Sequence, residues 1–290
     1  MKHICVITNR EKDENYQVAE QISAYVEKKG GSCRVLENEE QLIGGIRHFT
    51  RVKEIPSETE CALVLGGDGT MIQAAIDLVH RNIPILGINM GTVGFLTEIE
   101  QQRLKEALDL LLLDQYTIEN RIMLKETCLL KQMDCGMPEY CYALNDVVVS
   151  KSGVCRLITV RVYINDELAD EYRADGLIIS TPTGSTGYNL SAGGPVMVPH
   201  TQATVITPIC AHSLNKRSLV VSDRDKISLE IGRTKDFQED AAVLTVDGRN
   251  VGELVTGDRL EIVVPEEMTQ LVKLSKLSFY EKMREKLNGQ

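Results

Sequence analysis

An apolar run at residues 61 to 65 ends in Gly66-Gly67-Asp68-Gly69-Thr70 and gives way to a helical pattern from residue 71 to 80. A strand that breaks into glycines and opens a helix can aim successive backbone N–H groups and a positive helix end at an anion. The glycines let the backbone approach a ligand and reach left-handed conformations. Gly66, Gly67 and Thr70 therefore read as a candidate phosphate loop. Asp68 does not fit plain anion binding, because a carboxylate repels phosphate unless it holds a cation or accepts a proton. The plainer alternatives for it are a cation ligand or a turn-capping aspartate. No glycine is followed by lysine, and no Gly-x-Gly-x-x-Gly follows a strand, so neither the Walker loop nor the dinucleotide fingerprint is present.

A second stretch, residues 175 to 195, reads Asp-Gly-Leu-Ile-Ile-Ser-Thr-Pro-Thr-Gly-Ser-Thr-Gly-Tyr-Asn-Leu-Ser-Ala-Gly-Gly-Pro. An apolar strand runs straight into hydroxyls at Ser180, Thr181, Thr183, Ser185, Thr186, Tyr188 and Ser191. Such a loop can donate and accept many hydrogen bonds while a ligand lies against its backbone. A solvated Ser/Thr loop is the bland alternative. The pair Asn145-Asp146, between Leu144 and Val147-Val148-Val149, lies at the edge of an apolar strand, where two polar residues need partners and a ribose diol offers donors to a carboxylate. It could equally make a turn. Arg156 and Arg173 sit among apolar strand residues and would suit a pyrophosphate, or merely pair with one of many acids. Asn89 and Thr92 could bind phosphate or shape their loop.

The elements that must position these residues fall into two groups. Strand-like runs at 3 to 8, 33 to 36, 61 to 65 and 85 to 88 alternate with helical patterns at 16 to 30, 71 to 80 and 101 to 113. That succession implies a parallel sheet in an α/β domain. Residues 38 to 58 are polar and show no clear pattern. From about residue 116 the chain turns to short β-branched runs at 122–131, 140–150, 156–164, 167–174, 176–181, 204–209, 226–231, 242–246, 259–264 and 269–275. Turn pairs such as Asn165-Asp166 and Asp247-Gly248 join several of them. The expected domains are thus 1–116, α/β, and 117–275, larger, β-rich and mostly antiparallel, with a helix near 276–290 returning to the first.

Composition narrows the function. With 290 residues, 43% apolar and 26% charged, the chain can bury a full core. A net charge of -10 and 4% aromatics argue against nucleic acid held by field or base stacking. No apolar run approaches the roughly 20 residues that span a bilayer, and no secretory leader is legible. Eight cysteines without a Cys-x-x-Cys read as free thiols, and five scattered histidines do not read as a zinc site. A cytoplasmic protein, without nucleic acid or membrane partners, is the expectation.

The Gly66 to Thr70 loop resembles that of NAD kinases, 6-phosphofructokinases and diacylglycerol-type lipid kinases, all of which move the ATP γ-phosphoryl group to a hydroxyl. Residues 175–195 closely resemble the long NAD kinase signature, and 87–98, 144–147 and 207–214 agree with it. The resemblance implies phosphorylation of the adenosine ribose 2'-hydroxyl of NAD by ATP with a divalent cation, such as magnesium. It further implies a site in the cleft between the domains and a homodimer or homotetramer. Carried over, Asp68 is the proton acceptor and Gly69 lines the dinucleotide, while Asn145 and Asp146 hold the adenosine side. Arg156, Arg173, Asp175, Thr186, Gly187, Tyr188, Asn189, Leu190 and Ser191 fall at dinucleotide-contacting positions, Tyr188 against a ring. Arg249 aligns more loosely. Gly187 stands where Ala is common in the family and Ala211 where Pro is common. A lipid or sugar kinase with the same loop, and a non-enzymatic NAD(H) sensor, are the competing functions.

Overall fold

The computed structural model describes every residue except 9–11, 44–45, 92–93, 130–137, 154–156, 214, 234–239, 276 and 288–290. Two compact units emerge: Met1–Ile43, Arg47–Arg121 and Glu267–Gln290 form the first, and the second includes Ile122–Glu266.

In the first unit, strands in the order Ser32–Glu37, His3–Thr8, Cys61–Gly66, Ile85–Asn89, Met268–Lys273 and Thr117–Ile122 make one sheet, with Ile99–Glu100 added beside Ile85–Asn89. The first five of these pair in parallel, neighbour to neighbour. Cys61–Gly66 is buried along its whole length, as a strand covered on both faces must be. Helix α1, Gln17–Lys28, turns Val18, Ala19, Ile22 and Val26 inward at helical spacing. The Asp13 carboxylate caps its start, accepting from the Val18 and Ala19 amides at 2.9 and 3.0 Å. Helix α2 is Asp68–Asp77, and α3, Leu104–Leu112, buries Leu104, Ala107, Leu108 and Leu111 on one face. These residues close a single core with Ile4, Val6, Leu63, Leu65, Leu86 and Ile88 of the sheet.

The second unit holds two six-stranded sheets. One runs Tyr140–Ala143, Leu124–Leu129, Arg259–Val263, Ile227–Ile231, Ile158–Ile164, Glu167–Ala174; the other runs Leu219–Ser222, Ala203–Ile209, Gly176–Ser180, Asp146–Lys151, Ala241–Val246, Arg249–Val255. Every pairing in both is antiparallel. Alternate residues of the two sheets, among them Val147, Val149, Leu177 and Ile179 against Val160, Val162, Leu229 and Ile262, share one apolar core. The short helix α4, Tyr188–Ser191, follows Gly176–Ser180, and α5, Phe279–Leu287, ends the chain within the first unit.

Three features differ from the sequence-based expectation. Thr117–Ile122 and Met268–Lys273 belong to the first sheet, Leu271 lying opposite Ile85, so the first unit extends to residue 121 and resumes at 267. β-Propensity marks a strand but not its sheet, which is set by non-local pairing. The single run expected at 140–150 is two strands, Tyr140–Ala143 and Asp146–Lys151, with the Asn145-Asp146 pair at the entry of the second, the strand edge its sequence suggests. Residues 38–58 contain the short strands Gln41–Ile43 and Ile46–His48, which pair with each other.

Candidate active site

Asp68 is the first residue of α2, not the middle of a loop, and Gly67 is its N-cap. The helix closes on Gly67, whose carbonyl accepts the Met71 amide at 3.1 Å. A carboxylate there lies at the positive end of the helix, where negative charge is favoured. The glycines provide clearance rather than a left-handed backbone, since Gly66, Gly67 and Gly69 all lack positive φ. A Cβ on Gly66 would collide with the Thr70 side chain, whereas one on Gly67 or Gly69 would meet nothing within 4 Å. The loop therefore packs Thr70 over Gly66 and leaves the backbone of Gly67 and Gly69 open to an approaching group.

The Asp68 carboxylate is held by a turn that follows Ile85–Asn89. Its Oδ2 accepts the Phe95 amide at 2.7 Å and its Oδ1 the Leu96 amide at 3.0 Å. Each oxygen keeps a further lone pair for another donor, such as a hydroxyl. The turn is closed by the Gly94 amide donating to Thr97 Oγ1 at 3.1 Å. Asn89 shapes the start of this segment, donating to the Gly91 carbonyl at 2.7 Å and accepting the Gly91 amide at 3.2 Å; Thr92 lies outside the described residues. Lys286 on α5 shares this neighbourhood: burial lowers its ammonium pKa, and the Asp68 carboxylate works in the opposite direction.

Gly94 approaches Asp68 so closely that a Cβ there would collide with the carboxylate. Gly94→Ala should rotate Asp68 off its two amides while leaving the fold intact, lowering kcat by about a hundredfold, the order expected for an ångström-scale misplacement. Steady-state kinetics with a parallel thermal melt checks this, and unchanged kcat would show that the carboxylate position is unimportant.

In the second unit, the Asn145-Asp146 pair and the hydroxyl-rich stretch come together. The Asn145 carbonyl accepts the Thr181 amide at 2.9 Å and Ser180 Oγ at 3.3 Å, and Thr181 Oγ1 donates to the Leu144 carbonyl at 2.6 Å. Gly184 lies against the Asn145 backbone so tightly that a Cβ would not fit. Beneath the pair is Asp247, which in the sequence is legible only as part of a turn. Its Oδ1 accepts the Asn145 and Asp146 amides at 2.8 and 2.9 Å, and its Oδ2 the Leu144 amide at 2.8 Å. Asp247 has φ of 47° and Gly248 of 74°, the left-handed pair that a tight hairpin needs. An aspartate in that turn is a recognisable signal, but its partners lie about a hundred residues away. Burial, then the charge on Asp247, pushes the Asp146 carboxyl up to about 7. Burial also raises Asp247, against the pull of the three amides and Arg249.

The other candidates are placed unevenly. Gly187, Tyr188 and Ser191 are exposed, and Thr186 and Leu190 are half-buried, so this face of the loop and of α4 is open to a ligand. A Cβ on Gly187 would meet only the Gly184 carbonyl, at 3.3 Å, so the alanine common at this place needs only a slight adjustment. Asn189 is fully buried, with Nδ2 donating to the Ser185 and Pro195 carbonyls at 3.0 and 2.9 Å and Oδ1 accepting from Thr207 Oγ1 at 2.7 Å. It fastens the loop and has no surface to offer a dinucleotide. Arg173 is exposed on its strand. Asp175 pairs with Lys151 at 2.6 Å. Arg249 is half-buried and acts electrostatically on Asp247. Arg156 lies outside the described residues.

A strand, an open glycine turn and a helix headed by a carboxylate, in a chain whose other half is an antiparallel sandwich, give the open backbone and the fixed acceptor that a phosphotransferase site needs. The known proteins specify which. Residues 4–116 match the ATP-NAD kinase N-terminal domain and 144–274 the ATP-NAD kinase C-terminal domain. An NAD kinase of Lachnoclostridium phytofermentans is 46% identical over 286 residues, covering 99% of each chain, and one of Lachnospira eligens is 40% identical over 99% of this chain and 100% of its own. Yeast NADH kinase complexed with NADH superposes with a TM-score of 0.78 at 22% identity, over 99% of this chain and 88% of that one. An Archaeoglobus fulgidus NAD kinase in complex with ATP gives 0.73 at 22%, over 99% and 98%. The chain belongs to the ATP-NAD kinase family.

Proposed function

We propose that the chain transfers the ATP γ-phosphoryl group to the adenosine ribose 2'-hydroxyl of NAD, with Asp68 as general base. The observation that carries this is the Asp68 carboxylate fixed by the Phe95 and Leu96 amides beside the unobstructed backbone of Gly67 and Gly69. Asp68 takes the 2'-hydroxyl proton as the oxygen bonds to the γ-phosphorus and the bond to the ADP oxygen breaks. Phosphoryl transfer passes through a loose transition state, so holding both substrates in line is most of the task and the base acts late. Asp68 is proposed as the base and the open backbone at Gly67 and Gly69 as a phosphate contact; Asn145, Asp146, Thr186–Tyr188, Leu190 and Ser191 are proposed as dinucleotide contacts. Arg156, Arg173 and Arg249 are proposed to add positive charge for its phosphates.

Among the described residues, no group of three or more His, Cys, Asp and Glu side chains converges as a cation cage. A divalent cation such as magnesium would on this reading be bound chiefly by the phosphates of ATP, with few protein ligands. It would supply positive charge against the phosphate oxygens. The reading also carries a homodimer or homotetramer in the cytoplasm. Burial pushes the thiols of Cys5, Cys61 and Cys141 up to about 12, which leaves them protonated and unreactive. Among the described residues, no helix is long and apolar enough to cross a membrane.

The test is direct. Purified protein incubated with ATP, magnesium chloride and NAD should yield NADP with stoichiometric ADP, detected by an NADP-specific dehydrogenase. No NADP formed under conditions where a sugar or lipid hydroxyl is phosphorylated would reject the proposal.

A further inference from the structure

The turn that clasps Asp68 is itself gripped by the end of the chain. The Glu98 amide donates to the Gly87 carbonyl at 3.0 Å, fixing the turn to its strand. The Glu98 carboxylate, 2% exposed, accepts the Ser275 and Leu274 amides at 2.8 and 3.1 Å and Lys282 Nζ at 3.1 Å, and it pairs with Lys273. Lys282 Nζ also donates to the Thr97 carbonyl at 3.4 Å. One turn earlier on α5, the Phe279 ring lies 6.5 Å from that of Phe95, and Lys286 Nζ sits 4.4 Å over the Phe95 ring. Residues 95, 97 and 98 are thus each held by the stretch from 273 to 286, and the amides of 95 and 96 hold Asp68.

We infer that Glu98 is a positioning residue for Asp68, acting through the 94–97 turn and through Lys282 of α5. A buried ion pair stabilises a fold weakly compared with apolar residues of similar volume, but it fixes direction. Here the direction is that of two amides on which the carboxylate rests. Burial alone would push Glu98 up; Lys282 and Lys273 instead hold it at about 2, so it remains an anion throughout the neutral range. The inference rests on the reading of Asp68 as base.

The experiment compares Glu98→Gln, Lys282→Met and Lys282→Arg in the full chain, measuring kcat, KM for NAD and amide hydrogen exchange of residues 94–98 at a temperature where each is folded. Glu98→Gln and Lys282→Met should lower kcat by about tenfold or more, leave KM for NAD within about twofold, and speed exchange at Phe95 and Leu96. Lys282→Arg, which keeps the charge, should stay near the parent. On an Asp68→Asn background, Glu98→Gln should change residual turnover by less than about twofold, because the group it positions is gone. A loss that multiplies undiminished on that background, or unchanged kcat and exchange in Glu98→Gln and Lys282→Met, overturns the inference. Should Glu98→Gln not fold, the contrast between Met and Arg at 282 decides alone. A fully active Asp68→Asn enzyme overturns the base assignment and this inference together, whereas an inactive Asp68→Asn beside a fully active Glu98→Gln overturns only the inference.

Discussion

Asp68→Asn is expected to lower kcat by about a hundredfold to ten-thousandfold, the range that a positioned general base contributes, while KM for NAD changes little. The substitution is close to isosteric. The asparagine oxygen keeps one of the two amides, from Phe95 or Leu96, and its NH2 group faces the other, so the turn loses about one hydrogen bond. Losing a negative charge in the first turn of α2 removes a dipole interaction worth about 0.3–1 kcal/mol. Both effects are small beside the catalytic one, which makes the variant informative: a protein that melts within a few degrees of the parent, binds NAD and turns over slowly has lost a proton acceptor. The competing role, in which Asp68 only clasps the 94–97 turn, predicts turnover that falls in proportion to stability. Retention of more than about a tenth of the parent kcat would exclude the base role.

Much of the first unit was legible in the sequence because its information is local. The run 61 to 65 is apolar without alternation, as a strand covered on both faces requires, and the glycines after it mark the turn. Val18, Ala19, Ile22 and Val26 are spaced for one helix face, and the structure buries all four. What the sequence concealed is non-local. Met268–Lys273 has strand composition wherever it pairs, and only the folded chain brings Leu271 opposite Ile85. The sequence pattern starts the helix at residue 71, three residues late, because glycines normally oppose helix, whereas here Gly67 caps it and Asp68 begins it.

The site shows the same division. Asp68, Asn145 and Asp146 announce themselves by polarity next to apolar strands. The groups that hold them do not: Asp247 looks like a hairpin residue, Gly94 like one glycine in a loop, and Glu98 like one acid among many. Each acts across a long stretch of chain, on backbone amides or on a side chain with no room beside it. Asn189 is the converse case: a polar residue inside a hydroxyl-rich signature whose side chain is taken up by buried partners at Ser185, Pro195 and Thr207, none of them legible from its neighbours in sequence.

Asp247 and Asp146 carry the second large expectation, which is a pH dependence. Because burial and Asp247 hold the Asp146 carboxyl at about 7, a growing fraction of free enzyme has it protonated below that pH. Ribose hydroxyls donate better to the carboxylate than to the acid, so NAD should bind the ionised form more tightly. KM for NAD should therefore fall as pH rises through 7 and level off near 8, with a limiting slope of about tenfold per pH unit on the acid side. In Asp247→Asn a like charge is gone, Asp146 titrates lower, and the limb moves to more acid pH. The variant also leaves one of the amides of Leu144, Asn145 and Asp146 without its acceptor, at a stability cost of about 1–3 kcal/mol. The sign of the linked stability term is fixed: a carboxyl raised in the folded state keeps a proton that the unfolded chain has released, so the parent loses stability as pH climbs from the ordinary carboxylate range through 7. The variant is relieved of part of that loss, and its deficit in melting temperature should be smaller at pH 8 than at pH 6. A KM for NAD that is flat from pH 6 to 8 in the parent, or an acid limb at the same pH in both proteins, would show that Asp146 does not meet the dinucleotide as a carboxylate governed by Asp247.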